Sequence, residues 1–174
     1  IKTEMPLDMA INGEGFFQVR TEDGQTAYTR TGLFRTDSMG NLVNNEGLLV
    51  EPHILIPPEA TDISVRADGT ITGIVGEETI EFGKMPLFTF ANVHGLELMG
   101  HNLFLPTGTS GEPIMGEAGS EGFGSIMGNM LEKSNADMVN AMTKLIEAQR
   151  AYQLNLRIIK DQDEMTVQAI TMRG

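Results

Sequence analysis

The chain has 174 residues, with 24 acidic against 12 basic side chains, a formal net charge of −12 and no cysteine. Disulfides, thiolate metal sites and cysteine nucleophiles are therefore excluded. The acidic balance argues against a nucleic-acid binder, whose affinity rests on clustered Lys and Arg, and against docking on an anionic membrane surface.

The N-terminus, opening Ile1-Lys2-Thr3-Glu4-Met5-Pro6, carries no hydrophobic signal segment. Short β-prone runs then alternate with turn signals. Phe16–Arg20 and Thr26–Arg30 flank an Asp-Gly pair at Asp23-Gly24, a hairpin signal because glycine takes positive φ without steric cost. A second hairpin is expected across Ser38–Asn41. A third runs from Asp62–Arg66 through Asp68-Gly69 into Thr70–Thr72. Thr79–Phe82 and Leu87–Phe90 complete the expected strands. Pro57-Pro58 and Pro86 should lie at edges or loops, and the Gly-rich residues 106–125 read as an extended connector, a loop or weak strand leading out of the β unit. Phe16, Phe17, Tyr28 and Phe34 are expected in the core.

Composition changes sharply at Ser134. Residues 1–133 hold 19 acidic and 7 basic groups, all 7 prolines and 19 of the 20 glycines, whereas residues 134–174 are charge-neutral. The expected fold is therefore a mostly β domain over 1–133, followed by one long C-terminal α-helix over 134–174. Ser134 or Asn135 can cap the helix, with Asp137 complementing its dipole. Met138, Met142, Leu145, Gln149, Tyr152, Leu156, Ile159 and Asp163 follow a 4-3 heptad spacing. Such a helix would be about 60 Å long, whereas a compact domain of this size is roughly 36 Å across. The apolar stripe therefore calls for a partner, another segment or another subunit. The alternative is a bent or broken helix packed wholly on the β unit.

No reaction is specified. His53, His94 and His101 form no metal-ligand pattern, and Gly13-Glu14-Gly15 precedes a strand where a dinucleotide fingerprint would open a helix. Ser110 lies in Thr-Ser-Gly, outside a nucleophile elbow. Carboxylates are abundant, but Glu77-Glu78 reads as a solvated turn and Asp161–Glu164 fans round the helix. No catalytic residue, cofactor, metal or small-molecule substrate is expected, and no run of roughly 18 apolar residues is available for membrane insertion.

Leu7-Asp8-Met9-Ala10-Ile11-Asn12-Gly13-Glu14-Gly15-Phe16-Phe17 resembles the opening of the outer domain in flagellar basal-body rod and hook proteins. Tyr28-Thr29-Arg30-Thr31-Gly32-Leu33-Phe34, Gly40-Asn41-Leu42-Val43 and Gly124-Ser125-Ile126-Met127 follow in that family's order. Leu131–Val139, Glu147–Asn155 and Asp163-Glu164-Met165 match its C-terminal pattern, and the distal-rod branch is the most similar. The resemblance implies a non-enzymatic structural subunit that self-assembles into a hollow tube transmitting torque for flagellum-dependent motility. Its partners would be copies of itself and neighbouring rod and hook proteins. Its place would be the flagellar basal body, reached by type III export, as a periplasmic rod in cells with an outer membrane. The family's N-terminal partner helix is not found before Ile1, so the chain reads as truncated. The assembly face would comprise Met138, Met142, Leu145, Tyr152, Leu156 and Ile159, with Gln149 and Arg150 adding polar contacts. A secreted carbohydrate-active or carbohydrate-binding β domain with a helical tail is the alternative. A hook-cap or junction-like adaptor is a third reading.

Overall fold

Turn chemistry sets the hairpins. The Asp37 carboxylate accepts from the backbone N–H groups of Met39 and Asn41 (2.8 and 2.9 Å) and from the Asn41 amide (2.8 Å). Asn44 Oδ1 accepts from Glu46 and Leu48 N–H (3.1 and 2.8 Å), and Asp68 Oδ1 from Thr70 N–H (3.0 Å). Each side chain completes an Asx-type turn that reverses the chain locally. These bonds favour the charged carboxylates: Asn41 and the neighbouring backbone amides lower the Asp37 pKa, and the Thr70 amide lowers that of Asp68.

A computed structural model describes residues 1–133 and 135–172, with side chains described outside 135–142. Fourteen strands run in chain order among them. They are β1 Met9–Asn12, β2 Phe17–Arg20, β3 Thr26–Thr29, β4 Phe34–Thr36, β5 Leu42–Asn44, β6 Leu49–Glu51 and β7 Thr61–Val65. Then come β8 Thr70–Val75, β9 Glu78–Lys84, β10 Pro86–Thr89, β11 Glu97–Gly100, β12 Leu103–Leu105, β13 Ile114–Glu117 and β14 Ser125–Gly128. Helix α1, Asn135–Met172, follows. The fold is thus mostly β with one C-terminal helix, as expected.

An antiparallel seven-stranded sheet has the order β11-β12-β3-β2-β6-β5-β4, and β7-β8-β9 form a three-stranded sheet. Two ribbons, β1–β14 and β10–β13, complete the β unit. The expected hairpins are present as β2–β3, β4–β5 and β7–β8. Within residues 106–125 the strand alternative holds in part: Ile114–Glu117 form β13 and pair with β10, leaving Pro86 at the start of a two-stranded ribbon.

Alternation on β2 shows how the core is built. Phe17 and Val19 are fully buried, whereas Arg20 is exposed. Met9, Leu42, Val50, Ile71, Leu87 and Ile126 join Phe17 and Phe34 in one cluster drawing on all four sheets. Burial of each such side chain contributes about 1.5–3 kcal/mol before the entropy of ordering is counted. Phe16, Tyr28, Phe88 and Phe90 form a second, aromatic cluster with edge-to-face contacts, Tyr28 to Phe90 at 4.9 Å. Burial, reinforced by Glu51 and Glu112, raises the Tyr28 pKa.

By internal packing the chain divides into two units, Ile1–Glu132 and Lys133–Gly174.

Candidate assembly interface

Helix α1 is one continuous element of 38 residues, about 57 Å at 1.5 Å per residue. It contains no glycine or proline. Its late threonines turn their hydroxyls back onto the helix: Thr166 Oγ1 donates to Gln162 O (2.9 Å) and Thr171 Oγ1 to Val167 O (2.8 Å). Neither hydroxyl then competes for a non-helical turn.

Leu145, Tyr152, Leu156 and Ile159 share one exposed face, with Gln149 among them. Arg150, expected beside them, falls about 140° round the helix from Leu145 and so lies off that stripe. The capping expected of Ser134 or Asn135, and the side chains of Asp137, Met138 and Met142, lie outside the described residues. A feature missed by the heptad reading sits on the opposite side. Leu154, Ile158, Met165 and Met172, spaced 4, 7 and 7, form a second exposed apolar stripe. It lies about 150° round the helix from the first. The spacing was legible, but following one seam hid the other. Tyr152 at 66% exposure and Met165 at 70% show how fully both faces are presented.

The two ends of the β unit are tied to each other. Ile1 N donates to Leu131 O and Leu131 N to Ile1 O, both at 2.8 Å, while Thr3 N donates to Asn129 O at 2.8 Å. Lys2 and Met130 bridge in the same antiparallel register. Ribbon β1–β14 continues this ladder, pairing Met9 with Gly128 and Asn12 with Ser125. The backbone at Ile1 therefore runs beside the residues that lead into α1.

Ser110, His53 and His101 each meet a polar partner within the β unit. Ser110 is fully buried, accepts from Thr107 N–H (2.8 Å) and donates to Thr107 O (2.9 Å). His53 Nε2 meets Asn41 Oδ1 (2.6 Å), and His101 lies 3.2 Å from a Glu46 carboxylate oxygen. Glu77 and Glu78 are exposed at the β8–β9 turn. Two clefts open on the β unit. One is walled by Pro52, Met85, Pro86 and Met115, with the Lys84–Glu117 ion pair at its rim. The other lies between Arg20, Leu49, Glu51 and His53, where Arg20 pairs with Glu51. In both, the charges are matched to each other. Among the described residues no cluster of three His, Asp or Glu side chains is placed to hold a metal, and no helix is long and apolar enough to cross a membrane.

Two family models match separate stretches of the chain. The model described as "Flagellar hook protein FlgE/F/G D1 domain" covers residues 10–73, and "Flagellar basal body rod FlgEFG protein C-terminal" covers residues 127–172. Among curated relatives, the flagellar basal-body rod protein FlgG of Caulobacter vibrioides is 41% identical over 94% of this chain and 63% of its own length. FlgG of Buchnera aphidicola subsp. Baizongia pistaciae is 42% identical over 94% of the chain and 64% of its length. FlgG of Bacillus subtilis is 36% identical over 98% of the chain and 67% of its length. The chain thus spans just under two thirds of the first two relatives. With two family models matched and similarity over nearly the whole chain to these relatives, the chain belongs to the flagellar basal-body rod and hook protein family and is similar to its FlgG members.

Proposed function

We propose that the chain is a structural subunit of the flagellar distal rod, a non-enzymatic component that assembles with its own copies into a hollow tube. The observation that carries this reading is α1, matched by the rod C-terminal model and presenting two apolar faces on opposite sides. A helix that pairs once in a two-stranded coil needs one stripe. A helix in a closed wall has neighbours on two sides and needs two. Leu145, Tyr152, Leu156 and Ile159 serve one contact, with Gln149 as its polar member, and Arg150 adds a polar contact nearer the second face. Met138 and Met142 extend that face by sequence spacing.

In this reading the acidic β unit is the solvated outer part of the wall and the charge-neutral helix the assembly element. Neighbouring rod and hook proteins would contact the ends of the stack. The site of action is the basal body, with the rod crossing the periplasm where an outer membrane exists. The paired strands at Ile1–Thr3 and Asn129–Leu131 support a further point. Any segment preceding Ile1 in a longer chain emerges beside Leu131, which precedes α1 by a few residues along the chain. Neither the family models nor the named relatives support the carbohydrate-active alternative.

Leu145→Asp and Leu156→Asp test the reading in a flagellated cell carrying the variant as its rod protein. Each places an unpaired charge in a packed seam, at a cost of several kcal/mol per contact. Rod assembly and swimming should be lost while the β unit melts as in the parent. Normal rods and swimming in both variants would overturn the proposed face.

A further inference from the structure

Arg30, immediately after β3, uses every donor it has. Its Nη1 donates to the carbonyls of Gly13 (3.1 Å) and Gly15 (3.0 Å), and its Nη2 to Ile11 O (3.2 Å) and Glu132 Oε1 (3.2 Å). Nε donates to Glu132 Oε2 at 2.9 Å. A guanidinium has five N–H donors in a rigid fork, and all five are engaged here. Three acceptors are main-chain carbonyls at the end of β1 and in the β1–β2 turn; the other two are the oxygens of one carboxylate, gripped in a bidentate pair.

The turn is built to present those carbonyls. Gly13 and Gly15 have φ of +120° and +140°, outside the range of ordinary residues, and a Cβ on Gly13 would lie 2.9 Å from Gly124 Cα. On the other side, Glu132 follows Leu131, which is held to Ile1 by two backbone bonds. Glu132 is also the last residue of the β unit, separated from Asn135 of α1 by only Lys133 and Ser134.

We propose that Arg30 is a positioning residue that latches residues 129–132 to the β1–β2 turn, so that the chain entering α1 departs from a fixed point on the β unit. An isolated surface ion pair contributes little. This pair differs because the guanidinium is oriented independently by three backbone carbonyls, so Glu132 meets a preorganised fork. If the rod reading holds, the consequence is mechanical: load passing between helix and β unit along the chain crosses this segment, and a latched segment yields less. The latch itself does not depend on that reading.

The test is site-resolved amide hydrogen exchange on the full chain, in the parent, Arg30→Lys, Glu132→Gln and the double variant. A lysine keeps the charge but cannot reproduce the five-bond fork. In Arg30→Lys, exchange at Thr3 and Leu131 should rise about tenfold, with Val19 and Ile71 in the core unchanged. Glu132→Gln should act in the same direction, and the double variant should add little to Arg30→Lys, since both changes break one contact. Unchanged protection at Thr3 and Leu131 in both single variants would overturn the latch. So would fully additive effects, or an equal loss of protection through the core, which would make Arg30 a general fold determinant. Motility of cells carrying Arg30→Lys tests the mechanical consequence separately: failure of the rod reading would leave the exchange result standing.

Discussion

At the scale of single residues, close backbone approach and turn carboxylates decide most. Gly32 accepts a hydrogen bond from Met9 N–H at 2.9 Å, and a Cβ at this position would fall on the Met9 carbonyl. The obstacle is main chain and cannot rotate aside. Gly32→Ala should therefore destabilise the β unit by about 3 kcal/mol, the upper end of ordinary overpacking, measurable as a lower urea midpoint. Asp37 and Asp68 set a pH dependence. Their folded pKa values lie below the ordinary aspartate value of 3.8 because backbone and side-chain amides bond the charged forms. Near that value the unfolded chain binds more protons than the folded one, so the stability these groups supply is present at neutral pH. It is lost as pH falls through the ordinary value towards the lower folded ones. Asp37→Asn combined with Asp68→Asn should flatten the acid limb of the urea-midpoint profile. An unchanged slope would show that the two turns contribute nothing to acid sensitivity.

At the scale of elements, legibility follows sequence separation. The hairpins at Asp23-Gly24, Ser38–Asn41 and Asp68-Gly69 were readable because turn residues and strand alternation lie within a few positions of each other. Ribbon β1–β14 joins residues 9–12 to 125–128, and β12 adds Leu103–Leu105 beside β3. No local signal announces a partner that far along the chain. The helix was legible from its glycine- and proline-free composition, and its first stripe from heptad spacing. The second stripe, Leu154, Ile158, Met165 and Met172, escaped because its members interleave with those of the first. If both faces are contacted in the assembly, Ile158→Asp should block rod formation as fully as Leu156→Asp. Asn155→Ala, at a polar position between the two stripes, should leave assembly intact. Normal assembly with Ile158→Asp would reduce the contact to one face.

For the whole molecule, charge and packing assign different work to the two units. Residues 1–133 carry the −12 charge, and the β unit within them has a core drawn from four sheets, so it has the means to fold without help. Residues 134–174 are charge-neutral, and the helix keeps its apolar side chains exposed from Leu145 to Met172. A solitary helix of this kind is marginal in water and gains most of its stability from packing. That difference is the physical core of the proposed rod function. It is tested most directly by sedimentation with far-UV circular dichroism over a concentration series, on this chain and on one ending at Lys133. The account predicts that mass and helicity rise together with concentration in the full chain and that neither changes in the shortened one. A full chain that stays monomeric throughout, with its helix complete and melting together with the β unit, would contradict it.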